Sequence, residues 1–263
     1  MFKQMKLITF AGALAASAFA ASGAQAAGWI VGLVDGKSIV TIDPATRKVA
    51  SRADIKGVGA ILGIVVRPAD GMIYGIANDG TIVTIDAKTG QATMKSKMSE
   101  MLKPGVIATV DFNPVADRLR VMGSDGTSLR VNVEDGKTIV DGSHKFKDGD
   151  VNAGKTPKVI AGAYTNSWKG TKATALYGLD ATTASLVTQN PPNDGVLNTV
   201  GPLGVSLNGP VAFNIVAPGE DQNDGWLTTG GTLYKVDLKS GKATMVGKLE
   251  GLRGALNDIA WID

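Results

Sequence analysis

The alternation of apolar and polar positions between Met72 and Lys97 predicts short β-strands joined by tight turns. The turns are Asn78-Asp79-Gly80 and the segment from Asp86 to Gly90, and Asn, Asp and Gly accept the positive φ that such turns need. A nearly all-apolar strand lies just upstream. Four strands in this order are typical of one blade of a β-propeller. The predicted strands are Ile61–Val66, Met72–Ile76, Ile82–Ile85 and Ala92–Lys97.

The same pattern recurs along the whole chain and predicts five units. The first unit lacks an opening strand, and the other four are complete. Two links are unusually long, His144–Pro157 and Ala217–Gly225, the second of which is acidic. The further predicted strands are Trp29–Leu33, Ser38–Ile42, Lys48–Arg52, Ile107–Asn113, Arg118–Met122, Ser128–Asn132, Thr138–Val140, Val159–Thr165, Ala173–Leu179, Ser185–Gln189, Val196–Val200, Val211–Val216, Trp226–Thr229, Leu233–Val236 and Lys242–Gly247.

An Asp or Asn ends each predicted third strand and gives the repeat its register. These residues are spaced 43, 46, 58 and 47 residues apart, close to the length of a propeller blade. Their side chains are expected to cap backbone N–H groups of the following turn, which is a structural role. The five residues are Asp43, Asp86, Asn132, Asn190 and Asp237.

The C-terminal segment Asp258–Asp263 resembles the opening strand of a blade, and no further strand follows it. We therefore predict that Ile259–Ile262 pairs with Trp29–Leu33 and closes the ring, which removes exposed sheet edges. The predicted fold is all-β, a five-bladed propeller of four-stranded antiparallel blades in one domain, residues 27–263. Six blades are the alternative, if the segments 144–157 or 200–208 contain further strands.

Residues 1–26 have the features of a cleavable signal peptide. Lys3 and Lys6 precede an apolar run from Leu7 to about Ala20, and Ala24-Gln25-Ala26 forms a small-x-small cleavage site. The run is too short for a transmembrane helix. We therefore expect export to the periplasm or the cell exterior. The chain has no Cys, so neither a lipid anchor nor a disulfide is expected.

Three stretches carry a resemblance to a family of bacterial secreted proteins known as domain of unknown function DUF4394. The resemblance covers the chain from Gly28 to its C-terminus. It implies a propeller-like fold and brings no activity, ligand or catalytic residue with it. The stretches are Asp111–Pro114 with Asp117–Arg120, Gly149–Gly154 leading to Ala163–Asn166, and Val187–Asn193 leading to Leu197–Gly201.

Charge and residue counts exclude several classes of function. The net charge of +3 falls to about +1 without Lys3 and Lys6, so a nucleic-acid partner is not expected. His144 is the single histidine and lies in a polar linker, where we expect it to be solvated. A Ser-His-Asp or Cys-His arrangement and a histidine or thiolate metal site are therefore not expected.

Carboxylate chemistry remains open. Asp111 and Asp258 are the acids on predicted inner strands, where side chains can face the channel. A glycosidase-like hydrolase needs two carboxylates about 5–9.5 Å apart, so this alternative predicts that both face the same mouth. The other interpretation is that they cap strand ends or pair with arginine. No catalytic residue is otherwise assigned.

A second cluster contains the basic residues Arg118 and Arg120, which lie two positions apart on one strand, and Arg130 on the neighbouring strand. Guanidinium groups this close need anions, which Asp111 and Asp117 or a ligand would supply. Internal ion pairs with these acids are the favoured interpretation, and the binding hypothesis instead predicts a polar mouth whose donors are not all paired inside the protein. The candidate ligand-binding residues are Asp111, Asn113, Arg118, Arg120, Arg130, Asn166 and Trp168, the last as an exposed platform for a sugar ring.

Asp148–Gly154 places oxygen-bearing side chains at alternate positions, as a calcium loop does, with Asp150 and Asn152 as the candidate ligands. The loop lacks the EF-hand glutamate, since Val159 stands at that position, and a plain Asx turn is the alternative. No other cofactor is predicted.

The sequence favours a secreted or periplasmic module that binds a ligand or another protein. Its partner would be a small molecule, a glycan or an envelope protein. The alternatives are a carboxylate-dependent hydrolase acting at the central mouth, and an envelope structural protein without a channel ligand. The fold cannot decide among these functions, because propellers serve catalysts and scaffolds alike.

Overall fold

A computed structural model describes residues 28–219 and 222–262. This part of the chain is almost entirely β-structure, with a single 3-10 turn at Pro192–Asp194. The strands, in chain order, are β1 (Trp29–Val34), β2 (Ser38–Ile42), β3 (Val49–Asp54), β4 (Ile61–Val66), β5 (Ile73–Ala77), β6 (Thr81–Ile85), β7 (Ala92–Lys97), β8 (Ala108–Asn113), β9 (Arg118–Gly123), β10 (Ser128–Val131), β11 (Thr138–Val140), β12 (Lys145–Phe146), β13 (Val159–Tyr164), β14 (Leu176–Asp180), β15 (Ser185–Gln189), β16 (Val196–Pro202), β17 (Val211–Gly219), β18 (Gln222–Thr229), β19 (Thr232–Val236), β20 (Ala243–Lys248) and β21 (Leu256–Ile262).

The strands form five small sheets arranged as a ring, which confirms the predicted five-bladed propeller. Blade 1 has the order β21-β1-β2-β3, and blades 2, 3 and 5 are the meanders β4–β7, β8–β11 and β17–β20. Blade 4 contains β13–β16 and a fifth strand, β12, at its outer edge. The inner strands β21, β4, β8, β13 and β17 contact one another in that order and close a ring around a central channel.

The C-terminal strand closes the ring as predicted. β21 pairs antiparallel with β1, with Trp29 opposite Ile262 and Leu33 opposite Asp258. Blade 1 is thus assembled from both ends of the chain, because the N-terminal unit supplies three strands and the C-terminal segment supplies the missing inner one. The pairing leaves no unpaired inner edge at this point of the ring.

The segment 144–157 contains a strand that the sequence pattern did not reveal. Lys145–Phe146 forms β12, which pairs parallel with β16 through Lys145 opposite Val196 and Phe146 opposite Leu197. Phe146 is buried and holds the strand against blade 4. Two residues are too few to show a periodic pattern, and the strand adds an edge to blade 4 instead of forming a sixth blade.

The predicted link Ala217–Gly225 is wrong in one respect, because the two flanking strands continue into it. β17 and β18 form a long hairpin in which Val216 lies opposite Asp224 and Gly219 opposite Gln222. Backbone pairing extends the hairpin, so the polar residues Gln222, Asn223 and Asp224 lie on a strand instead of in a loop.

The hydrophobic core lies between successive blades. Each blade is a twisted sheet whose apolar face packs against the next blade, so the core is divided into clusters around the ring. Between blades 2 and 3, for example, Tyr74 and Phe112 pack edge to face with ring centroids 5.3 Å apart. The inner strands are therefore apolar because each of them packs between two neighbouring blades.

The turn residues that set the repeat act mostly as predicted. Asp43 accepts hydrogen bonds from the N–H groups of Ala45 and Thr46, and Asp86 accepts them from Lys88 and Thr89. Asn132 and Asp237 cap their turns in the same way. At Asn190 the turn is enlarged, and the backbone N–H of Asn190 donates to the Val196 carbonyl.

The predicted signal peptide, residues 1–26, lies outside the described residues. Within the described ranges, no helix is long and apolar enough to cross a membrane.

Candidate functional site

The central channel opens at two mouths of different character. The apolar mouth lies where the inner strands begin, has a cavity of about 550 Å³, and is lined mainly by aliphatic side chains, with Asp35 and Asn257 at its edge. The polar mouth lies where the inner strands end and has a cavity of about 290 Å³. Residues lining the polar mouth include Arg67, Asp111, Trp168, Lys169, Asn214 and Trp261.

Two of the predicted ligand-binding residues, Asp111 and Trp168, meet at the polar mouth. Asp111 reaches it from β8, and Trp168 reaches it from the loop that follows β13. Trp168 is half-buried, as a platform at the edge of a cavity would be. The structure thus brings together an acid and an aromatic ring that are far apart in sequence.

Asp111 is buried, with 5% of its surface exposed. Its carboxyl oxygens accept hydrogen bonds from the backbone N–H groups of Phe112, on its own strand, and of Tyr164, on the inner strand of blade 4. Burial raises the pKa of Asp111 from 3.8 to about 7, although the two hydrogen bonds act in the opposite direction.

Asp258 has the same arrangement at another position in the ring. Its carboxyl oxygens accept hydrogen bonds of 2.9 Å from the N–H groups of Ile259, on its own strand, and of Ile64, on the inner strand of blade 2. Burial raises the pKa of Asp258 well above 3.8, and the charge of Asp111 raises it further. Asp258 keeps more accessible surface than Asp111, yet its carboxyl group lies inside the ring of inner strands, so desolvation dominates.

Gly63 makes room for the Asp258 carboxyl group. A Cβ atom at this position would lie 2.9 Å from Asp258 Oδ2 and 2.6 Å from a methyl carbon of Val110. Glycine therefore allows blades 1, 2 and 3 to approach closely at this point of the channel.

The arginine cluster is an internal ion-pair network, and its anion is not the one predicted. Arg120 is 2% exposed and pairs with Asp141 at 2.5 Å, instead of with Asp111 or Asp117. Arg130 contacts the same carboxylate through Nε and Nη2 at 2.7 and 2.9 Å. Asp141 lies just beyond the end of β11, the strand that pairs with β10, and β10 carries Arg130. The residue pattern within a single strand does not reveal such a neighbour.

The remaining groups around Arg120 are also satisfied inside the protein. Arg120 donates to the Tyr164 hydroxyl, to Ser128 Oγ and to Asn193 Oδ1. These contacts connect blade 3 to blade 4. Its Nε, Nη1 and Nη2 atoms all donate to groups inside the protein, and Arg120 is not among the residues that line either mouth, so the contacts support a structural role for Arg120.

Arg118 does not share the environment of Arg120. It is exposed and donates to the backbone carbonyls of Ala116 and Asp117. Asp117 instead pairs with Arg67, with contacts of 2.9 and 2.6 Å. The predicted pair of guanidinium groups on one strand face is thus divided between the interior and the surface.

Arg67 is a residue of the polar mouth that the sequence reasoning missed. It contacts the carboxylates of Asp117, Asp70 and Glu134 and lies over the rings of Tyr74 and Phe112. These contacts raise its pKa, so it stays charged. The sequence offered one signal for Arg67, which is its position directly after the inner strand β4. Asn113 and Asn166 likewise lie at or just beyond the ends of inner strands.

Asn113 and Asn166 stabilise turns. Asn113 Oδ1 accepts hydrogen bonds from the N–H groups of Val115 and Ala116. Asn166 has a φ of 56° and exchanges hydrogen bonds with Asn223, which joins the loop after β13 to the long hairpin of blade 5. Neither residue is among those that line the polar mouth.

The candidate calcium loop has the contacts of an Asx turn. Asp150 accepts hydrogen bonds from the N–H groups of Asn152 and Thr199 and from the Thr199 hydroxyl. Asn152 Oδ1 accepts a hydrogen bond from the Lys155 ammonium at 2.9 Å, and a cation would compete with that group. Within residues 28–219 and 222–262, no group of three or more His, Cys, Asp or Glu side chains could hold a metal ion.

The expectation that His144 is solvated is wrong. The side chain is buried between the turn at Gly126 and blade 4, beside Gln189. Burial, together with the nearby charge of Arg120, lowers its pKa to about 4. The polar composition of the linker hid this position, because the buried Phe146 alone packs this part of the segment against blade 4.

Of the other tryptophans, Trp226 and Trp261 pack together and Trp29 is exposed. The rings of Trp226 and Trp261 are stacked with centroids 5.6 Å apart, and Trp261 forms part of the polar mouth. Trp29 is the first residue of β1 and has 40% of its surface exposed.

Sequence comparison now places the chain in a family. The family described as "Domain of unknown function (DUF4394)" matches residues 26–260. This chain belongs to that family. The match confirms the resemblance seen in the three sequence stretches, and it assigns no activity to the DUF4394 protein. No curated protein matches the chain.

Several solved structures share the fold at low sequence identity. A protein of unknown function from Bacteroides thetaiotaomicron is 14% identical, with a TM-score of 0.50, and the match covers 82% of this chain and 54% of that one. One from Bacteroides caccae is 16% identical, with a TM-score of 0.43 and coverage of 84% and 73%. Myxococcus xanthus glutaminyl cyclase is 12% identical, with a TM-score of 0.41 and coverage of 76% and 69%. At these identities the likeness concerns the fold alone.

Proposed function

We propose that this DUF4394 protein is an exported binding module that holds a sugar or the end of a glycan at the polar mouth. The observation that carries the proposal is the meeting of Trp168 and Asp111 at one cavity. An aromatic ring offers an apolar face for stacking, and a nearby acid and amide offer hydrogen bonds to hydroxyl groups. Asn214 supplies the amide, and Ser167 and Lys169 supply further polar groups.

The size of the cavity limits the ligand. A volume of about 290 Å³ is at the lower end of the range for small-molecule sites, which is roughly 300–1,000 Å³. This favours one or two sugar rings over a long chain inside the mouth. A longer glycan would place only its terminal residue there.

Calorimetric titration with neutral and acidic monosaccharides and short oligosaccharides tests the proposal. We expect the wild-type protein to bind. In Trp168→Ala the affinity should fall by about tenfold or more, because the substitution removes the aromatic surface on which the sugar would stack. The matched control is Trp29→Ala, which removes an exposed tryptophan outside the cavity. Equal affinities for both variants would contradict the assignment of the site.

The carboxylate-dependent hydrolase remains the alternative, and the geometry supports it less. Asp111 has a pKa suited to a general acid, but Asp258 does not line the polar mouth, and both carboxyl groups already accept two backbone hydrogen bonds. A two-carboxylate mechanism requires both groups to reach the same glycosidic bond. Release of reducing sugar from glycans by wild type, and its loss in Asp111→Asn, would favour the hydrolase.

An envelope protein without a channel ligand is the third proposal. It predicts no binding of any sugar at the polar mouth and unchanged partner capture by Trp168→Ala. Crosslinking in intact cells, followed by identification of the linked proteins, separates it from the sugar-binding proposal.

Export through a cleaved signal peptide is part of the proposed function. The basic residues, apolar run and small-x-small site within residues 1–26 support it. Cell fractionation and the intact mass of the recovered protein test it. We expect a periplasmic or extracellular protein that begins at Ala27, whereas a cytoplasmic protein with an intact N-terminus would contradict export.

A further inference from the structure

Asp111 and Asp258 make the same connection at two places in the ring. Each carboxyl group accepts the N–H of the next residue on its own strand and one N–H from the inner strand of the following blade. Asp258 thereby joins blade 1 to blade 2, and Asp111 joins blade 3 to blade 4. Two acids are thus built into the packing of the channel wall.

The described residues provide no cation for this pair. Of the charged side chains around it, Arg120 on β9 is held by Asp141, and Arg67 after β4 is held by Asp117 and Glu134. Lys169 is an exposed loop residue at the polar mouth. The packed strands β1, β4, β13 and β17 contribute one titratable group, the Tyr164 hydroxyl, which accepts from Arg120.

Two buried carboxylates without a cation are unfavourable, and protons can neutralise them. A protonated carboxyl group also needs an acceptor for its O–H. The Thr109 hydroxyl lies two residues before Asp111 on the same strand face, is 4% exposed, and has no hydrogen-bond partner among the described residues. It is an unsatisfied polar group on the face of β8 that carries Asp111.

We propose that Asp111 and Asp258 form a coupled acid pair that takes up and releases protons and so changes the charge of the channel wall. In the protonated state Asp111 presents a neutral hydroxyl to the polar mouth, and in the ionised state it presents a carboxylate. The directions of both pKa values agree with this assignment, and so does the effect of the Asp111 charge on Asp258. The proposal concerns the ligand-free protein and does not depend on sugar binding.

A pH titration by NMR tests the pair directly, using protein labelled with ¹³C at the aspartate carboxyl carbons. We expect two aspartates to titrate well above the ordinary aspartate value, with the midpoint of Asp111 at about pH 7. Asp111→Asn should remove one of them and shift the other to lower pH by several tenths to about one unit, because it loses a neighbouring charge. Asp258→Asn should remove the other signal.

The matched control is Asp86→Asn, which removes an exposed turn carboxylate and should leave both high midpoints unchanged. The wild-type titration is decisive even if one channel variant fails to fold. The proposal is overturned if every aspartate titrates below about pH 5, or if the remaining midpoint is the same in Asp111→Asn as in wild type. A loss of both titrations on adding calcium would also overturn it, because a cation would then neutralise the pair.

Discussion

The aspartates at the turns and the aspartates in the channel have similar hydrogen bonds but opposite electrostatics. At the turns, Asp43 and Asp86 accept backbone and hydroxyl hydrogen bonds at the surface, and these lower their pKa. In the channel, Asp111 and Asp258 also accept two backbone hydrogen bonds each, yet their pKa is raised. Burial, and not the hydrogen bonds, therefore sets the direction of the pKa shift in these aspartates.

Asp141 differs from both groups, because it is a buried acid with arginine side chains beside it. Its side chain is 4% exposed and contacts both Arg120 and Arg130. We expect Asp141→Ala to lower the free energy of unfolding by about 3–5 kcal/mol, since it leaves the buried charge of Arg120 uncompensated. Urea unfolding measures this change.

Glu134→Ala is the control for Asp141→Ala, because it removes an exposed partner of Arg67. Glu134 itself is exposed, and Arg67 keeps Asp70 and Asp117 as partners, so the control should unfold within about 1 kcal/mol of wild type. Similar losses in both variants would show that burial of the Asp141 pair adds nothing.

The pH dependence of stability gives the next largest expected effect. The pKa of Asp111 rises from 3.8 to about 7 on folding, so the folded chain binds more protons than the unfolded chain in this interval. Stability from this group is therefore greatest below its unfolded pKa and falls as pH rises toward its folded pKa. From about pH 5 to about pH 8 the loss is about 3 kcal/mol.

His144 acts in the opposite direction, so the effect of Asp111 must be measured by difference. The pKa of His144 falls from 6.5 to about 4 on folding, and its contribution to stability rises with pH across that interval. We expect the free energy of unfolding of wild type minus that of Asp111→Asn to fall by about 3 kcal/mol or more between about pH 5 and about pH 8. A difference independent of pH would contradict the raised pKa of Asp111.

Gly63→Ala tests whether close blade packing is required at Asp258. The added methyl group would meet Asp258 Oδ2 and Val110, so we expect a loss of about 1–3 kcal/mol in urea unfolding. Gly219→Ala is the control, since among the described residues an added Cβ there has no neighbour nearer than 3.5 Å. Wild-type stability in Gly63→Ala would mean that the wall relaxes easily and that the junction is not tightly constrained.

The fold could be predicted because each blade repeats a local pattern. The turn caps at Asp43, Asp86 and Asp237 join residues two or three positions apart, so turn chemistry alone locates them. Closure of blade 1 could also be predicted, because a lone inner strand at one end of the chain matched a missing one at the other. The turn caps depend on neighbours in sequence, and the closure of blade 1 depends on the number of strands that a blade requires.

The candidate site could be predicted only in part, because its contacts join distant residues. Asp111 binds an N–H 53 positions away, and Asp258 binds one 194 positions away. Similarly, Arg120 donates to Asp141, just beyond the end of β11, and to Asn193, in the 3-10 turn between β15 and β16 of blade 4. Residue type indicated that these side chains matter, but their partners depend on how the blades are packed.

Asp86→Ala should have the smallest effect in this series. It removes a local cap at the surface, so we expect the melting temperature to fall by no more than a few degrees. The pKa of Asp86 is lowered by its hydrogen bonds with Thr89, so its stabilising contribution is present above its unfolded pKa of 3.8 and is lost as pH falls below that value. The melting difference from wild type should therefore be the same at about pH 5.5 and about pH 8. A difference that changes across this interval would mean that a turn aspartate also titrates near neutrality, and the contrast between turn and channel would no longer hold.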